Sequence, residues 1–384
     1  MENDVAIEVE AMLEKAQPLF TTKCCCIYKV PHEIRRLNED AYIPVIVSIG
    51  PLHHHGNSRL VTMEGHKQFY CQHFIQRSEA SLSDLVSCLQ QLEPQIRACY
   101  SEKIELTVDG LVKVIFIDCC FVIELFLRNY EGTTEDDLIF SKQWVWDLVS
   151  GDLILIENQV PLFVVEKIYN LAFASRLHGG GFPIFMRLAS KRPLRNRGPL
   201  VLVGHTAFEL VQAGLKFQVN KSSHCILDLE FEHGILKIPH IIVDDFTEVL
   251  LRNIVALEQC HYPRHHYITD YVYFLAQLVN SNKDANVLIK AGIIESMVCG
   301  NDTSVAKLFT DVDKNILVGN HNANYLQICN DLNAFYEHPC RTKIATLRRD
   351  YFTTPWKTAT SIAGIVLLLL TVIQTVCSIL QLRS

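Results

Sequence analysis

The fold class follows from residues 111–126, which read LVKVIFIDCCFVIELF. Apolar side chains occupy every side of this stretch when it is wound as a helix, which is typical of a helix buried all round. It is shorter than the roughly 20 apolar residues that a membrane span needs, and it contains Lys113, Asp118 and Glu124. We therefore predict a core helix over residues 109–130 in a mainly α protein.

Helical patterns continue on both sides of this core helix. A short alternating run over residues 226–231, a turn at residues 232–234 and a returning run over residues 235–239 predict one β hairpin. Asp152 precedes an apolar run and is predicted as the N-cap of the helix that follows it. Together these patterns predict a single large helical domain with a small β hairpin. Its further helices are expected over residues 63–101, 153–173, from 244 to 257, 268–280 and 285–298.

The most apolar part of the chain lies near its C-terminus. No charged residue occurs from Ala359 to Leu380, and Pro355 and Trp356 come just before this run. About 20 apolar residues in a helix span the roughly 30 Å of bilayer hydrocarbon, whereas a helix of a soluble domain normally keeps a polar face. We predict a membrane anchor over residues 351–384, with the span at about 359–380. The anchoring side chains are Trp356, Ile362, Leu367, Leu370, Ile373 and Leu380.

Basic residues flank this span unequally. Only Arg383 follows it, whereas five basic residues precede it, namely Arg341, Lys343, Arg348, Arg349 and Lys357. Positive residues stay on the cytoplasmic side, and the N-terminus has no secretory signal pattern. We expect a tail-anchored, single-pass protein with a cytosolic N-terminal body, at the plasma membrane. The sequons at Asn220 and Asn301 are useful only if the body is lumenal.

The rest of the chain divides into three predicted parts. Residues 1–23 form a short amphipathic segment in which the helical pattern ends at Pro18. Residues 24–350 form the helical body. Within it, residues 178–200 combine glycines, prolines and basic side chains, so we expect an exposed, mobile basic loop there.

Composition excludes some classes of protein. The 384 residues carry 35 basic and 42 acidic side chains, a net charge of −7, which argues against a nucleic-acid partner. Mean hydropathy is +0.15, and the apolar run near the C-terminus accounts for much of it. Several of the 14 cysteines lie in apolar runs or next to one another, as at Cys24–Cys26. We interpret most of them as reduced core residues.

Candidate chemical groups are few, and each has a structural alternative. The histidines at His53–His55 and the Cys260–His266 stretch could bind a metal, but neither has a recognised zinc spacing. Cys24–Cys26 ahead of His32 would suit a Cys–His nucleophile, although sequence shows neither a lowered pKa nor a positioned base. No nucleotide-binding or hydrolase motif occurs. We expect no enzyme activity, no metal and no cofactor, and structural hydrogen bonding for the polar turn at Glu157–Pro161.

Several ordered phrases resemble the plant DUF247 (UPF0481) family from about residue 24 to the C-terminus. The longest are AYIPVIVSIGP at residues 41–51 and DLILIENQVPLF at residues 152–163, followed by LKIP at residues 236–239. The positions that carry the resemblance are Pro31, Asn38, Tyr42, Pro44, Ser48, Gly50, Pro51, His53, Gly56, Glu157, Asn158, Gln159, Pro161, Asp245, Arg252, Asn253, Glu258 and Gln259.

This resemblance implies a largely helical plant membrane protein from a family without an established enzyme activity. Some grass members are associated with pollen self-incompatibility. The sequence thus favours a membrane protein that acts through an unidentified protein partner, in signalling or in self/non-self recognition. Two alternatives stay open: an enzyme with a Cys/His site in the N-terminal block, and a receptor with an extracellular body. The oligomeric state is left open.

Overall fold

The computed structural model forms two compact units. The first contains residues 1–193 and 246–266, and the second contains residues 194–245 and 267–384. The mainly α prediction is confirmed, while the domain boundaries drawn from sequence stay a prediction. The residues described are 2–14, 24–54, 60–132, 137–174, 197–198, 203–221, 225–262, 266–297, 303–314, 316, 321–338 and 355–381.

Helices build the first unit. A 3₁₀ turn over Glu39–Tyr42 follows its second helix. The helices are α1 (Glu2–Glu14), α2 (His32–Arg35), α3 (Val61–Arg77), α4 (Leu82–Ala98), α5 (Val108–Glu131), α6 (Gln143–Leu153), α7 (Leu162–Ala172) and α9 (Thr247–His261).

Helix α5 is the predicted core helix, and its bounds follow from its caps. The Thr107 side chain accepts a hydrogen bond from the Gly110 amide at the start, and Gly132 ends the helix with a φ of 69°. One apolar cluster joins α5 to α4 and α7 through side chains such as Ile115. A second cluster joins it to α3 and α6 through Phe121. Because α5 is covered on both sides, it can be apolar all round.

Two helix predictions in this unit are wrong. The predicted helix over residues 63–101 is two helices, because Ser78 is extended and Ser81 caps α4 by accepting a hydrogen bond from the Asp84 amide. Asp152 is not an N-cap, since it lies in the last turn of α6. Its carboxylate binds backbone amides far away in sequence, which local pattern cannot reveal. The helix expected over 153–173 starts only at Leu162.

The second unit mixes short helices with small sheets. The predicted hairpin is present, with β3 (Glu230–Glu232) antiparallel to β4 (Ile235–Ile238) around a turn in which His233 and Gly234 have φ of 51° and 79°. Sequence did not predict β2 (Lys216–Val219), which runs parallel to β4. The other elements are β1 (Arg197–Gly198), α8 (Ala207–Gln212), β5 (Ile241–Val243), α10 (Tyr267–Leu278), α11 (Asn282–Lys290), β6 (Ile294–Ser296), α12 (Thr303–Asp313), β7 (His321–Asn322), α13 (Ala323–Glu337) and α14 (Pro355–Gln381).

The helix predicted over residues 285–298 is also wrong in its second half. Helix α11 ends at Lys290, Gly292 takes a φ of 71°, and β6 then pairs in parallel with β5. A positive φ is readily available to glycine, so Gly292 turns the chain out of the helix and into the strand.

The two terminal helices have exposed apolar side chains. Helix α14 is long and apolar enough to cross a membrane over Ala359–Cys377, where mean hydropathy is 2.2 and none of the window is buried. The predicted N-terminal helix is present as α1, and its Val5, Val9 and Met12 are exposed. Most of the predicted basic loop at 178–200 lies outside the described residues, as does the Asn301 sequon.

Candidate functional site

Residues of the two longest family phrases come together in the first unit around residues 44–50, which belong to no helix or strand. We call this stretch the 44–50 segment. Outside a helix or sheet, its backbone amides need other hydrogen-bond partners. Asp152 is the partner of three of these amides, since its carboxylate accepts hydrogen bonds from Val45, Ile46 and Val47 at 2.7, 2.7 and 2.8 Å. Asp152 is only 2% exposed, so α6 ends in a buried carboxylate that holds this segment.

Asn158 continues the attachment a few residues later. Its Oδ1 accepts the Ile49 amide at 2.7 Å, and its Nδ2 donates to the carbonyl oxygens of Val47 and Asp152 at 3.0 and 2.9 Å. Gln159 donates from Nε2 to Leu153 and Leu155 carbonyl oxygens at 2.7 and 2.8 Å. These amides satisfy the carbonyls left open where α6 ends. The turn between α6 and α7 is therefore built by its own polar side chains.

A buried ion pair holds the end of the 44–50 segment. Asp118 of α5 accepts the Gly50 amide at 2.8 Å and the Lys67 ammonium at 2.6 Å. Lys67 also donates to the Ser48 carbonyl oxygen at 2.7 Å, and its Nζ lies 2.6 Å from Glu64 Oε1. Lys67 and Asp118 are each 1% exposed. Because a buried charge is costly unless it is paired and hydrogen-bonded, each of these groups depends on the others.

Glu157 forms a second polar centre beside this one. Its Oε1 accepts the Val30 amide at 2.8 Å and lies 3.4 Å from Arg35 Nη1. Its Oε2 lies 3.1 Å from His53 Nε2, in an orientation that does not make a hydrogen bond. Glu157 is 1% exposed. Through these contacts the buried Glu157 carboxylate holds residues 30–35 in place.

Helix α9 contributes the third attachment through the Arg252-Asn253 pair. Asn253 accepts the Ile156 amide at 3.0 Å and donates to the carbonyl oxygens of Ala41 and Val249, both at 2.8 Å. Glu248 accepts from Asn38 at 3.0 Å and from Arg252 at 2.8 Å. Polar side chains thus join α9 to residues 38–41, just before the 44–50 segment, and to the turn between α6 and α7.

Burial determines the electrostatics of these acids. Desolvation raises the pKa of Asp118 to about 6, and the Lys67 charge and the Gly50 amide oppose that rise. Desolvation also raises the pKa of Asp152, against the lowering effect of its three backbone hydrogen bonds. The net destabilisation of the ionised form is therefore smaller than burial alone would give.

Most of the predicted family positions take part in these contacts or lie beside them. Tyr42, Pro44, Ser48 and Pro51 are buried, and Pro31 and Pro161 precede the first residues of α2 and α7. Glu258 is buried in α9 and Gln259 is half-buried. Asp245 is exposed before α9, and Gly56 lies outside the described residues. Of the anchor residues, Ile362, Leu367, Leu370 and Ile373 are exposed on α14, while the side chains of Trp356 and Leu380 are not described.

Sequence reasoning missed Lys67 and Asp118 as a pair. The available signals were Lys67 in the half-apolar helix α3 and Asp118 in the strongly apolar helix α5. Charged side chains in such positions are rarely buried without a partner. It also missed a second network. Tyr70 donates to Asp137 at 2.7 Å, and Arg128 binds both Asp137 and Glu124, at 2.7 and 2.8 Å.

The candidate chemical groups have separate neighbours. The Cys26 thiol contacts Cys99, whereas His53 lies next to Glu157. Tyr28 lies between the Cys25 carbonyl oxygen, at 3.1 Å, and His261 Nδ1, at 3.0 Å. Within the described part of the chain, no three His, Cys, Asp or Glu side chains are grouped to hold a metal ion. The arrangement positions backbone, and its buried acids serve that purpose.

Fold and network together define a helical protein organised by buried polar side chains, with a long exposed apolar helix near its C-terminus. The chain belongs to the DUF247 family, described as a plant protein of unknown function, which matches residues 27–192 and 187–370. It is similar to UPF0481 protein At3g47200 of Arabidopsis thaliana, at 27% identity over 93% of this chain and 87% of that protein. Putative UPF0481 protein At3g02645 of the same plant is 34% identical over 37% of this chain and 26% of that protein. No solved structure matches.

Proposed function

We propose that the chain is a single-pass plant membrane protein, anchored by α14, whose cytosolic body acts by binding another protein. The observation that carries this proposal is the exposed apolar surface of α14. Leu367 and Leu368 are 64% and 66% exposed, although leucine is among the residues most often buried in soluble proteins.

The free energy of insertion supports anchoring. The window Ala359–Cys377 contains ten Ile, Leu and Val residues. At about −0.3 to −0.6 kcal/mol each near the membrane centre, they favour insertion by about −3 to −6 kcal/mol. Thr371 and Thr375 lower their polar cost by donating to carbonyl oxygens one turn back, at 2.8 and 2.7 Å. The Gln374 amide is the main opposing group.

The basic flank supports a cytosolic body. Five basic residues lie within about 20 residues of the start of the span, and one follows it. The structure around the Asn220 sequon also fits a cytosolic body, in which this asparagine would not be glycosylated. Asn220 is 3% exposed and its Nδ2 donates to the Asp228 carbonyl oxygen at 3.1 Å, so a glycan on this nitrogen is incompatible with the fold.

Membrane topology is the first test. The full chain, extended after Ser384 by a short tail with a glycosylation sequon, is made in the presence of microsomes. We expect resistance to alkaline extraction, glycan addition to the tail and digestion of the body by external protease. A body protected from protease, with an unmodified tail, would reverse the orientation and favour the receptor alternative.

A matched pair of variants tests whether α14 causes the membrane association. Leu367→Lys with Leu370→Lys places two charges near the middle of the span, each costing about 2.5 to 3.5 kcal/mol on the insertion scale. The control, Val5→Lys with Met12→Lys, adds the same charges to the exposed face of α1. We expect only the first pair to release the chain. Equal membrane binding by both pairs would assign the anchor elsewhere.

Protein binding is tested by proximity labelling in plant cells, with the labelling enzyme fused to the N-terminus. Partners of the body should be labelled by the wild type and lost on an exposed-surface variant that keeps its membrane association. The finer role, self/non-self recognition, is tested by replacing the gene in pollen and scoring seed set after selfing. Labelling limited to soluble metabolic enzymes, with turnover of a substrate by purified protein, would favour the enzyme alternative.

A further inference from the structure

Cys26 and Cys99 are far apart in sequence and adjacent in the first unit. The amides of Cys26 and Ile27 both donate to the Cys99 carbonyl oxygen, at 2.9 and 3.0 Å, and the Ser101 amide donates to the Ile27 carbonyl oxygen at 2.9 Å. These bonds form a parallel bridge between Ile27 and Tyr100. The two cysteines precede the bridged residues on each side. Adjacent strands lie about 4.8 Å apart, within the roughly 4.4 to 6.8 Å between Cα atoms that a disulfide requires.

The two thiols meet on one side of this bridge. The neighbouring Cys99 thiol lowers the pKa of Cys26 to about 7, and the pKa of Cys99 is raised in turn. Cys26 is exposed, whereas Cys99 is buried behind it, with its Sγ 3.3 Å from the Gln95 carbonyl oxygen. An accessible thiol with thiolate character beside a second thiol is the usual arrangement of a redox-sensitive pair.

A second thiol pair provides an internal comparison. Cys71 and Cys120 also shift each other's pKa in opposite directions, but both are buried, at 7% and 0% exposure. The contact between thiols is therefore shared by the two pairs, and access from solvent separates them.

We propose that Cys26 is a modification site for hydroperoxides and that Cys99 resolves it to a disulfide. The Cys26 thiolate attacks the peroxide O–O bond, taking one oxygen to form a sulfenic acid while the other oxygen leaves as water or an alcohol after protonation. The Cys99 thiol then attacks the Cys26 sulfur, and the sulfenic oxygen leaves as a second water. One peroxide is reduced and two thiols lose two hydrogen atoms in total. A cellular dithiol reductant reverses the step by thiol–disulfide exchange.

The bond would tie the N-terminal block to the end of α4. Cys26 lies four residues before Val30, whose amide binds Glu157. The disulfide would therefore hold residues 26–30 covalently, where hydrogen bonds alone hold them in the reduced protein. Only the exposed partner needs to meet the oxidant.

The experiment uses the full chain, reduced and purified in detergent, and hydrogen peroxide as the oxidant. After treatment, free thiols are blocked and the protein is digested without reductant. Mass spectrometry should find the peptides of Cys26 and Cys99 joined, and joined well before those of Cys71 and Cys120. At pH 7 a thiol of pKa about 7 is half ionised, against roughly 3% for free cysteine. Its lower intrinsic nucleophilicity offsets much of this gain, so we expect initial oxidation about threefold faster than for free cysteine.

Variants separate the two roles. Cys99→Ser should stop at the sulfenic acid, trapped by dimedone on Cys26, and Cys26→Ser should lose both products. If Cys99→Ser does not fold, Cys99→Ala serves the same purpose, and Cys24→Ser controls for the neighbouring exposed thiol. The proposal is overturned if Cys26 reacts no faster than free cysteine, if Cys24 takes its place in the disulfide, or if both thiol pairs oxidise at one rate.

Discussion

Asp152 offers the sharpest test of the polar network. In Asp152→Asn, the amide oxygen can replace Oδ2, which accepts the Ile46 and Val47 amides, but the amide nitrogen then faces the Val45 amide that Oδ1 accepts. Two donors then oppose each other, and the two remaining bonds lose their charge. Val45 is 52% exposed, so its unpaired amide costs less than the roughly 1 to 3 kcal/mol of a fully buried donor, whereas hydrogen bonds to a charged group contribute about 1.5 to 3 kcal/mol each.

These terms are partly offset because the variant removes a desolvated charge, whose cost is visible in the raised pKa of Asp152. We expect a net loss of about 3 kcal/mol in the free energy of unfolding for Asp152→Asn. Asp152→Ala should lose about 4 kcal/mol, because it orphans the Val47 amide, whose residue is fully buried. The matched control is Asp147→Asn on the same helix, where the carboxylate accepts a hydrogen bond from Gln143 in an exposed contact. We expect a change within about 0.5 kcal/mol there.

Thermal unfolding of the full chain in detergent provides the first measurement. Trp144 and Trp146 lie in α6, so tryptophan fluorescence reports near the substitution. For a unit of this size, about 3 kcal/mol corresponds to a decrease in Tm of roughly 6 to 12 °C. Hydrogen exchange provides the second measurement, since the amides of residues 45–47 should lose protection in Asp152→Asn and keep it in Asp147→Asn. Equal Tm values for the two variants, or unchanged exchange at residues 45–47, would refute the role assigned to Asp152.

Two further predictions concern the same network. Gly50 has a φ of +78°, and a Cβ there would clash with the Gln159 carbonyl oxygen. Gly50→Ala should therefore lower the free energy of unfolding, measured by chemical denaturation, by more than about 3 kcal/mol. The control is Gly65→Ala inside α3, where the new Cβ meets no atom within 4 Å, and it should raise the free energy of unfolding by up to about 1 kcal/mol. The pKa of Asp118 rises to about 6 on folding, so its folded form binds more protons and the free energy of unfolding should fall by about 2 kcal/mol as pH rises from 4 to 6. Asp118→Asn should remove this part of the pH slope, and an identical slope in both proteins would contradict the assignment.

The regular parts of the fold were predictable because their signals are local. Helix α5 is apolar all round and has a Thr107 cap and a Gly132 stop, and the β3–β4 hairpin shows alternation around a glycine turn. The site was only partly predictable. The polar Glu157–Pro161 turn was correctly expected to act by hydrogen bonding, since polar side chains amid apolar residues need partners.

The partners themselves could not be predicted from sequence. Asp152 precedes an apolar run and looks like a cap for a helix there, yet its carboxylate binds amides more than 100 residues earlier. Strand β2 lacked a signal for the same reason, because its pairing with β4 is parallel and depends on a distant chain segment. The local sequence pattern is enough to predict a helix or a hairpin. The backbone amides that a buried acid will bind depend on how distant parts of the chain pack, and local pattern does not contain that information.

This distribution of roles bears on how function in the family should be mapped. Asp152, Glu157, Asn158 and Asn253 use their side chains on backbone groups inside the first unit. Substituting them should destabilise that unit, so a loss of activity in such variants would not by itself report on partner binding. Exposed side chains separate the two effects: Trp144 is 61% exposed on the same helix as Asp152. Its replacement by alanine should leave Tm within a few degrees, so a lost partner would then report recognition itself.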